Sequence, residues 1–305
     1  MVRTASKPVS RSATLGRRLD TLAARFDLSM ISPDPLELVL RFEDPADQEV
    51  AALIAAAFAY GRADIVVRNI GKVLEAMGPS PYGYLSGTFG KAFTRPEALR
   101  RFRGFRHRFH KTKDLVALLE RISLALQWHG SIGRLFESGY EPKDRDIGPS
   151  LDRFVRAMIT GPPGARTLDV LEDRALHYLL SAPDDGSACK RMNLFLRWMV
   201  RRTSPDLGLW EFVNPSQLII PLDTHVHRIT TFLGLNDRRT PDWKAAVAVT
   251  KRLARFDRSD PVRYDFAICR LGILDLCSRQ RRKENCDVCL LRDVCRFPVT
   301  DGTVV

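Results

Sequence analysis

From Asp20 onward the apolar residues of this chain recur at intervals of three and four, and that spacing admits helices and little else. Leu118, Ile122, Ala125 and Leu126 form one such set, and Met192, Phe195, Leu196 and Met199 another. Each draws a single stripe down a helix of 3.6 residues per turn. Asp34-Pro35, Gly78-Pro79, Gly161-Pro162-Pro163, Asn214-Pro215 and Asp260-Pro261 interrupt the stripes, because the residue before a proline is driven out of the helical region. The pattern predicts an all-α protein with little room for strands. No repeat of fixed period is visible, which disfavours a solenoid.

At roughly 150 residues per domain, the 305 residues amount to two domains or one two-lobed unit. With 45% apolar residues and a formal net charge of +12, the chain reads as globular and basic, which points to a polyanionic partner. The longest apolar run, Val50 to Tyr60, is eleven residues, short of the roughly 18 that a membrane helix needs. No apolar segment follows the N-terminal charges as an export signal requires. A cytoplasmic protein with no membrane partner is therefore expected. Residues 1–19 carry five cations and no acid and read as a flexible, solvated basic tail.

Arg100 to Lys113 reads RRFRGFRHRFHKTK, with seven Lys or Arg, two His and no acid. Phe102, Phe105 and Phe109 fall at helical spacing within it. Either the arginines hold phosphates while a phenylalanine stacks on a base, or the Phe stripe is buried beneath a merely solvated Arg face.

Four of the six cysteines crowd into nineteen residues as Cys277-x8-Cys286-x2-Cys289-x5-Cys295. A reducing cytosol would not maintain a disulfide framework, so the crowding reads as a metal site. Zinc ribbons usually show two short CxxC pairs, and this pattern has one. Four thiolates on a compact loop suit a 4Fe-4S cluster, with zinc, or no metal, as the alternatives. Between the first two cysteines lie Arg279, Arg281, Arg282 and Lys283, cations that a folded cluster loop would present as a phosphate clamp.

In the segment PDDGSACKRMNLFLRWM, residues 183–199, a tight turn runs straight into an amphipathic helix with Lys190 in its first turn. A cation there opposes the helix dipole, and Arg191 adds a like charge; both favour the neutral amine, the form that attacks carbon. The alternative is an ordinary exposed lysine. In IIPLDTHVHRITTFLG, residues 219–234, Asp223 is placed to cap a helix beginning at Thr224. A capping carboxylate is held rigidly, so it can also stabilise positive charge developing on a sugar. His225 and His227, two apart, point in different directions on a helix and make a poor metal pair.

With these segments in this order, the chain resembles the helix-hairpin-helix DNA glycosylase superfamily, the endonuclease III-like proteins. More closely it resembles a bacterial family of unknown function related to them, the domain of unknown function 2400 type. The hairpin pattern G-x-x-x-K-x-x-N is matched by Gly186, Lys190 and Asn193; D-T-H-V-x-R is matched by Asp223, Thr224, His225, Val226 and Arg228; the four cysteines match the cluster. The match is strong over about the C-terminal 120 residues and weaker over Asp47 to Asp64.

The resemblance implies a two-lobed fold. A six-helix-type lobe would span 47–210 with an insertion at 80–165, and a second lobe 20–46 plus 211–298. It implies excision of a damaged base from duplex DNA, with Lys190 attacking the deoxyribose C1′, Asp223 assisting, and an AP lyase step following. Gly186 and the Arg279–Lys283 cations would hold the DNA backbone, and the protein would be monomeric and nucleoid-associated. The alternative is a non-catalytic nucleic-acid-binding protein of the same fold; an RNA-directed or metal-regulatory module is a third. The sequence departs from the superfamily where the turn reads PDDGSA, with Ala188 in place of a second glycine and two acids facing any phosphate. It departs again where Gly61-Arg62 stands in place of the usual glutamine wedge. The lysine-to-aspartate interval of 33 residues is long and is expected to loop out.

Overall fold

The protein is described here from a computed structural model covering residues 10–88, 92–279 and 282–297. It is mostly helical. The first five helices are α1 (Arg11–Arg25), α2 (Leu36–Val39), α3 (Pro45–Ala57), α4 (Ala63–Met77) and α5 (Pro81–Ser86). Next come α6 (Arg95–Arg101), a hairpin of β1 (Arg106–His107) and β2 (His110–Lys111), then α7 (Thr112–His129), α8 (Ile132–Ser138), α9 (Gly148–Thr160) and α10 (Val170–Leu179). The remainder is α11 (Lys190–Val200), α12 (Thr224–Leu233), α13 (Trp243–Leu253), α14 (Asp265–Ile273) and α15 (Lys283–Asp287). Each of the five X-Pro boundaries falls outside the α-helices, and both apolar stripes are buried, on α7 and α11. No helix among the described residues is long and apolar enough to cross a membrane.

Helix α3 is the centre of the molecule. Val50 to Phe58 are buried on every side, as expected of a helix with no polar face, and α2, α5 and α11 pack around it. Its two buried acids organise neighbours. The Glu49 carboxylate accepts from Ile132 N and Gly133 N, both at 2.8 Å, and from Trp210 Nε1 at 2.7 Å. It thereby satisfies the N-terminus of α8, where a negative charge is favoured. Burial holds its carboxyl above the usual range against the pull of those donors. Asp47 accepts from Ser80 Oγ at 2.6 Å and Tyr82 N at 2.8 Å, fixing the start of α5.

Two expectations are corrected. The basic stretch 100–113 is not one helix: α6 ends at Arg101, Gly104 takes φ +84°, and a hairpin with Arg108 at φ +53° follows before α7 begins. Phe102 is buried and Phe109 is exposed, so the helical spacing of the phenylalanines is coincidental. The N-terminal tail is not solvated throughout, because α1 begins at Arg11 and buries Leu15, Leu19 and Leu22. Arg11 donates to the Val294 carbonyl, and Arg18 pairs with Asp293 at 2.8 Å. Residues 1–9 lie outside the described residues.

Candidate active site

The approach to Lys190 is a tight turn. A 3₁₀ turn over Pro183–Asp185 closes at Gly186, φ +73°, and Cys189 at φ +48° then caps α11. Asn193 Nδ2 donates to the Ala188 carbonyl at 3.1 Å, tying the helix back to the turn. Lys190 is thus the first residue of α11, and its ammonium donates to the Ala59 carbonyl at 2.9 Å. Gly186 offers no free amide to a phosphate: its N–H donates to the Pro183 carbonyl at 2.9 Å. Of the two turn acids, Asp184 pairs with Arg156 at 2.8 Å, and Asp185 accepts from Ala182 N.

Asp223 caps α12 as its position before Thr224 predicts. One carboxylate oxygen, Oδ1, accepts from His225 N at 2.8 Å and Val226 N at 2.7 Å. The other, Oδ2, lies 3.5 Å from the Cys269 thiol, which donates to it. The two histidines diverge: His225 packs against Gly272, while His227 Nε2 donates to the Arg238 carbonyl at 3.0 Å.

These two segments meet. Lys190 and Asp223 line one cleft of about 540 Å³, together with Ala59, Gly61, Arg62, Arg108, Asp265 and Cys269. Among the described residues no ion pair joins the lysine to the aspartate: the lysine is held by the Ala59 carbonyl, and the aspartate by two backbone amides and the Cys269 thiol. The interval between them does not loop out. It folds back along α11, with Leu207 N donating to Trp198 O at 2.9 Å and Trp210 N to Met199 O at 2.8 Å. Trp210 packs in the core against Phe136 and Phe195.

Three cleft residues, Asp265, Arg197 and Cys269, are not singled out by a reading of the sequence. Asp265 and Arg197 form the cleft floor through a buried pair, and Arg197 also bonds Asp206, which in turn holds Arg201. Burial pushes the Asp265 carboxyl up to about 6 despite the Arg197 guanidinium beside it. Cys269 is held far above its ordinary range, first by burial and then by the Asp223 charge, so its thiol stays protonated and serves as a donor to Asp223. Arg108 enters from the hairpin. In the sequence the helical periodicity of α14 hints that Asp265 and Cys269 share a face, but nothing there brings that face to α11.

The four clustered cysteines converge elsewhere. Cys277, Cys286, Cys289 and Cys295 line one small apolar cavity with Phe232, Leu276 and Phe297. Among the described residues no three His, Cys, Asp or Glu side chains are arranged to hold a metal ion directly. Four soft thiols around one cavity are a donor set that an iron-sulfur cluster or a zinc ion would accept. Arg228 fixes the first of them by donating to the Cys277 carbonyl, and Leu291 N donates to Cys289 Sγ at 3.4 Å. Arg279, Arg282 and Lys283 stand on the surface beside this cavity, with Arg282 on its wall; Arg281 lies outside the described residues.

A family model described as Protein of unknown function (DUF2400) matches residues 34–274. No curated protein and no solved structure matches the chain. The matched span takes in the hairpin, Lys190, Asp223, Asp265 and Cys269, and stops short of Cys277. Since that span covers most of the sequence and both helices whose first turns meet in the cleft, the chain belongs to the DUF2400 family of proteins of unknown function.

Proposed function

We propose that this protein is a DNA glycosylase that removes a damaged base by covalent catalysis from Lys190. The observation that supports it most is the meeting of Lys190 and Asp223 on one cleft although 33 residues separate them. An amine nucleophile beside a fixed carboxylate is a sufficient toolkit for breaking a glycosidic bond through a cationic sugar. The Lys190 amine, in its neutral form, bonds to C1′ as the base leaves with the electron pair of the C1′–N bond, and the proton that the amine then sheds passes to the departing base. Asp223, rigid in its cap, offsets the positive charge on the sugar. Opening of the sugar ring then leaves a Schiff base, from which lyase chemistry proceeds.

A second reading, binding without catalysis, is favoured by one contact: the Lys190 ammonium is engaged by the Ala59 carbonyl, and an attacking amine must leave it. Borohydride trapping of the purified protein on duplexes carrying a panel of base lesions separates the two. A covalent adduct on at least one lesion is expected. No adduct on any lesion, with binding retained, leaves the non-catalytic reading.

Cys277, Cys286, Cys289 and Cys295 would hold a 4Fe-4S cluster, whose contribution is to fix the loop bearing Arg279, Arg282 and Lys283. Anaerobically purified protein is expected to be brown with a broad visible band, and Cys286→Ser to lose iron and stability together, since a lost ligand removes a folding constraint. Stoichiometric zinc in place of iron overturns this assignment. The same loop supplies a further expectation. Neutralising Arg279, Arg282 and Lys283 should flatten the dependence of log affinity on log salt by about 0.9 per lost phosphate contact on duplex DNA. An unchanged slope moves the footprint elsewhere.

A further inference from the structure

The two loop residues of the hairpin face different concavities. Arg108 lines the lysine cleft, and Phe109 lines a separate open groove of about 890 Å³ with Lys111, Lys113, Leu171, Arg174 and Tyr178. The hairpin tip is therefore a partition between them. Its ring is unusually open: Phe109 is 56% exposed although Tyr178, Tyr60 and His110 pack edge-on or tilted beneath it at 4.9, 5.8 and 4.6 Å between centroids.

The tip is also locked. His107 Nε2 donates to the Tyr60 carbonyl at 3.0 Å, the Tyr60 hydroxyl reaches His110 Nδ1, and Asn69 donates to the Arg106 carbonyl at 3.2 Å. Burial keeps both histidines below their ordinary range. Arg191, the neighbour of Lys190, stacks on Tyr178 at 4.2 Å, so the aromatic platform and the lysine are braced by one helix. Arg108 sits in the left-handed conformation, which is unfavourable for a residue other than glycine, and the hydrogen bonds on either side of it hold the tip in place.

Charge selects the occupant. Of the acids in the groove, Glu172 is neutralised by Arg95 and Arg166, while Asp114 and Asp169 keep their charge on backbone amides, Asp169 within electrostatic reach of Lys113; Lys111, Lys113 and Arg174 therefore leave a small excess of cations. Lys111, Lys113 and Arg174 carry no ion pair among the described residues. An open aromatic ring beside a net excess of cations suits a nucleobase with its phosphates.

We propose that the groove binds the nucleotide flanking the one in the cleft, unpaired, with its base stacked on Phe109 and its phosphates on Lys111, Lys113 and Arg174. This rests on the glycosylase reading for its choice of DNA. The test uses the full chain and single-stranded oligonucleotides carrying a stable abasic analogue, with 2-aminopurine at successive flanking positions. Quenching is expected at one flanking position. Phe109→Ala should abolish that quenching and weaken binding about 5- to 150-fold. Phe109→Trp should bind as wild type and show its own emission quenched by DNA. The exposed position leaves the fold intact, which an unchanged thermal midpoint verifies. If the wild type binds DNA and Phe109→Ala binds equally with the same quenching, this inference fails while the glycosylase reading stands. If the wild type binds no single-stranded DNA, this inference fails, and the glycosylase reading is decided separately by trapping on lesion-bearing duplexes.

Discussion

Lys190→Gln is expected to abolish borohydride trapping altogether while changing DNA affinity by no more than about twofold. Glutamine is one bond shorter but keeps an uncharged N–H donor that can turn toward the Ala59 carbonyl, so the turn and the start of α11 should survive. Only the attack is lost, and single-turnover kinetics are the appropriate measurement. Asp223→Asn separates the second role. Its amide oxygen can still accept from His225 N and Val226 N, preserving the cap, whereas the negative charge facing the cleft is gone. Base release should slow by orders of magnitude with stability nearly unchanged. A residue that only caps gives the opposite balance, Asp223→Ala costing about 1 kcal/mol of stability and nothing in chemistry. Trapping that persists in Lys190→Gln assigns the nucleophile to another amine.

The largest loss of stability is expected from Arg197→Leu, about 3–5 kcal/mol, the usual cost of stranding a buried charge by removing its partner. Arg197 is the hub of the cleft floor, holding Asp206 at 3.1 Å and Asp265 by a second bond, all within the core. The deficit should depend on pH. Burial already raises the Asp265 carboxyl to about 6, above its ordinary value near 3.8. A group raised in this way contributes stability at acid pH that is lost as pH climbs through the folded value. Removing the guanidinium raises it further, so the variant's deficit should be greatest above pH 6 and shrink as the pH falls toward 4. Urea unfolding at both ends of that window measures it. Asp265→Asn in the same background should remove most of the pH dependence, and a deficit flat across the window contradicts the account.

The position of Lys190 at the start of a helix and of Asp223 at an N-cap was legible because a turn before a helix and an acid before its first residue are local signals, which need no knowledge of distant contacts. The all-α class was legible for the same reason, since periodicity is a local property. The hairpin was not. Phe102, Phe105 and Phe109 mimic a helical stripe, and the interruption rests on Gly104 and on a left-handed Arg108 held by contacts of the hairpin with Tyr60 and Asn69. Asp265, Cys269 and Arg197 were invisible for a different reason: each is an ordinary residue on its own helix and acquires a role only when α11, α12 and α14 converge. The long interval before Asp223 misled because its length suggested an excursion, whereas Trp210 finds its place in the core between Phe136 and Phe195.

Helix α1 carries a consequence for biosynthesis. Its apolar stripe of Leu15, Leu19 and Leu22 is covered by α14 and by the turn at Arg292–Val294, and Arg18 meets Asp293 across 275 residues of chain. At about 5–20 residues per second, the helix leaves the ribosome tens of seconds before its cover exists. A sticky amphipathic segment thus waits at the front of the nascent chain while nearly the whole fold is made behind it. The growing protein should depend on holding chaperones until α14 arrives, and nascent chains stalled before residue 265 should be the species that aggregate.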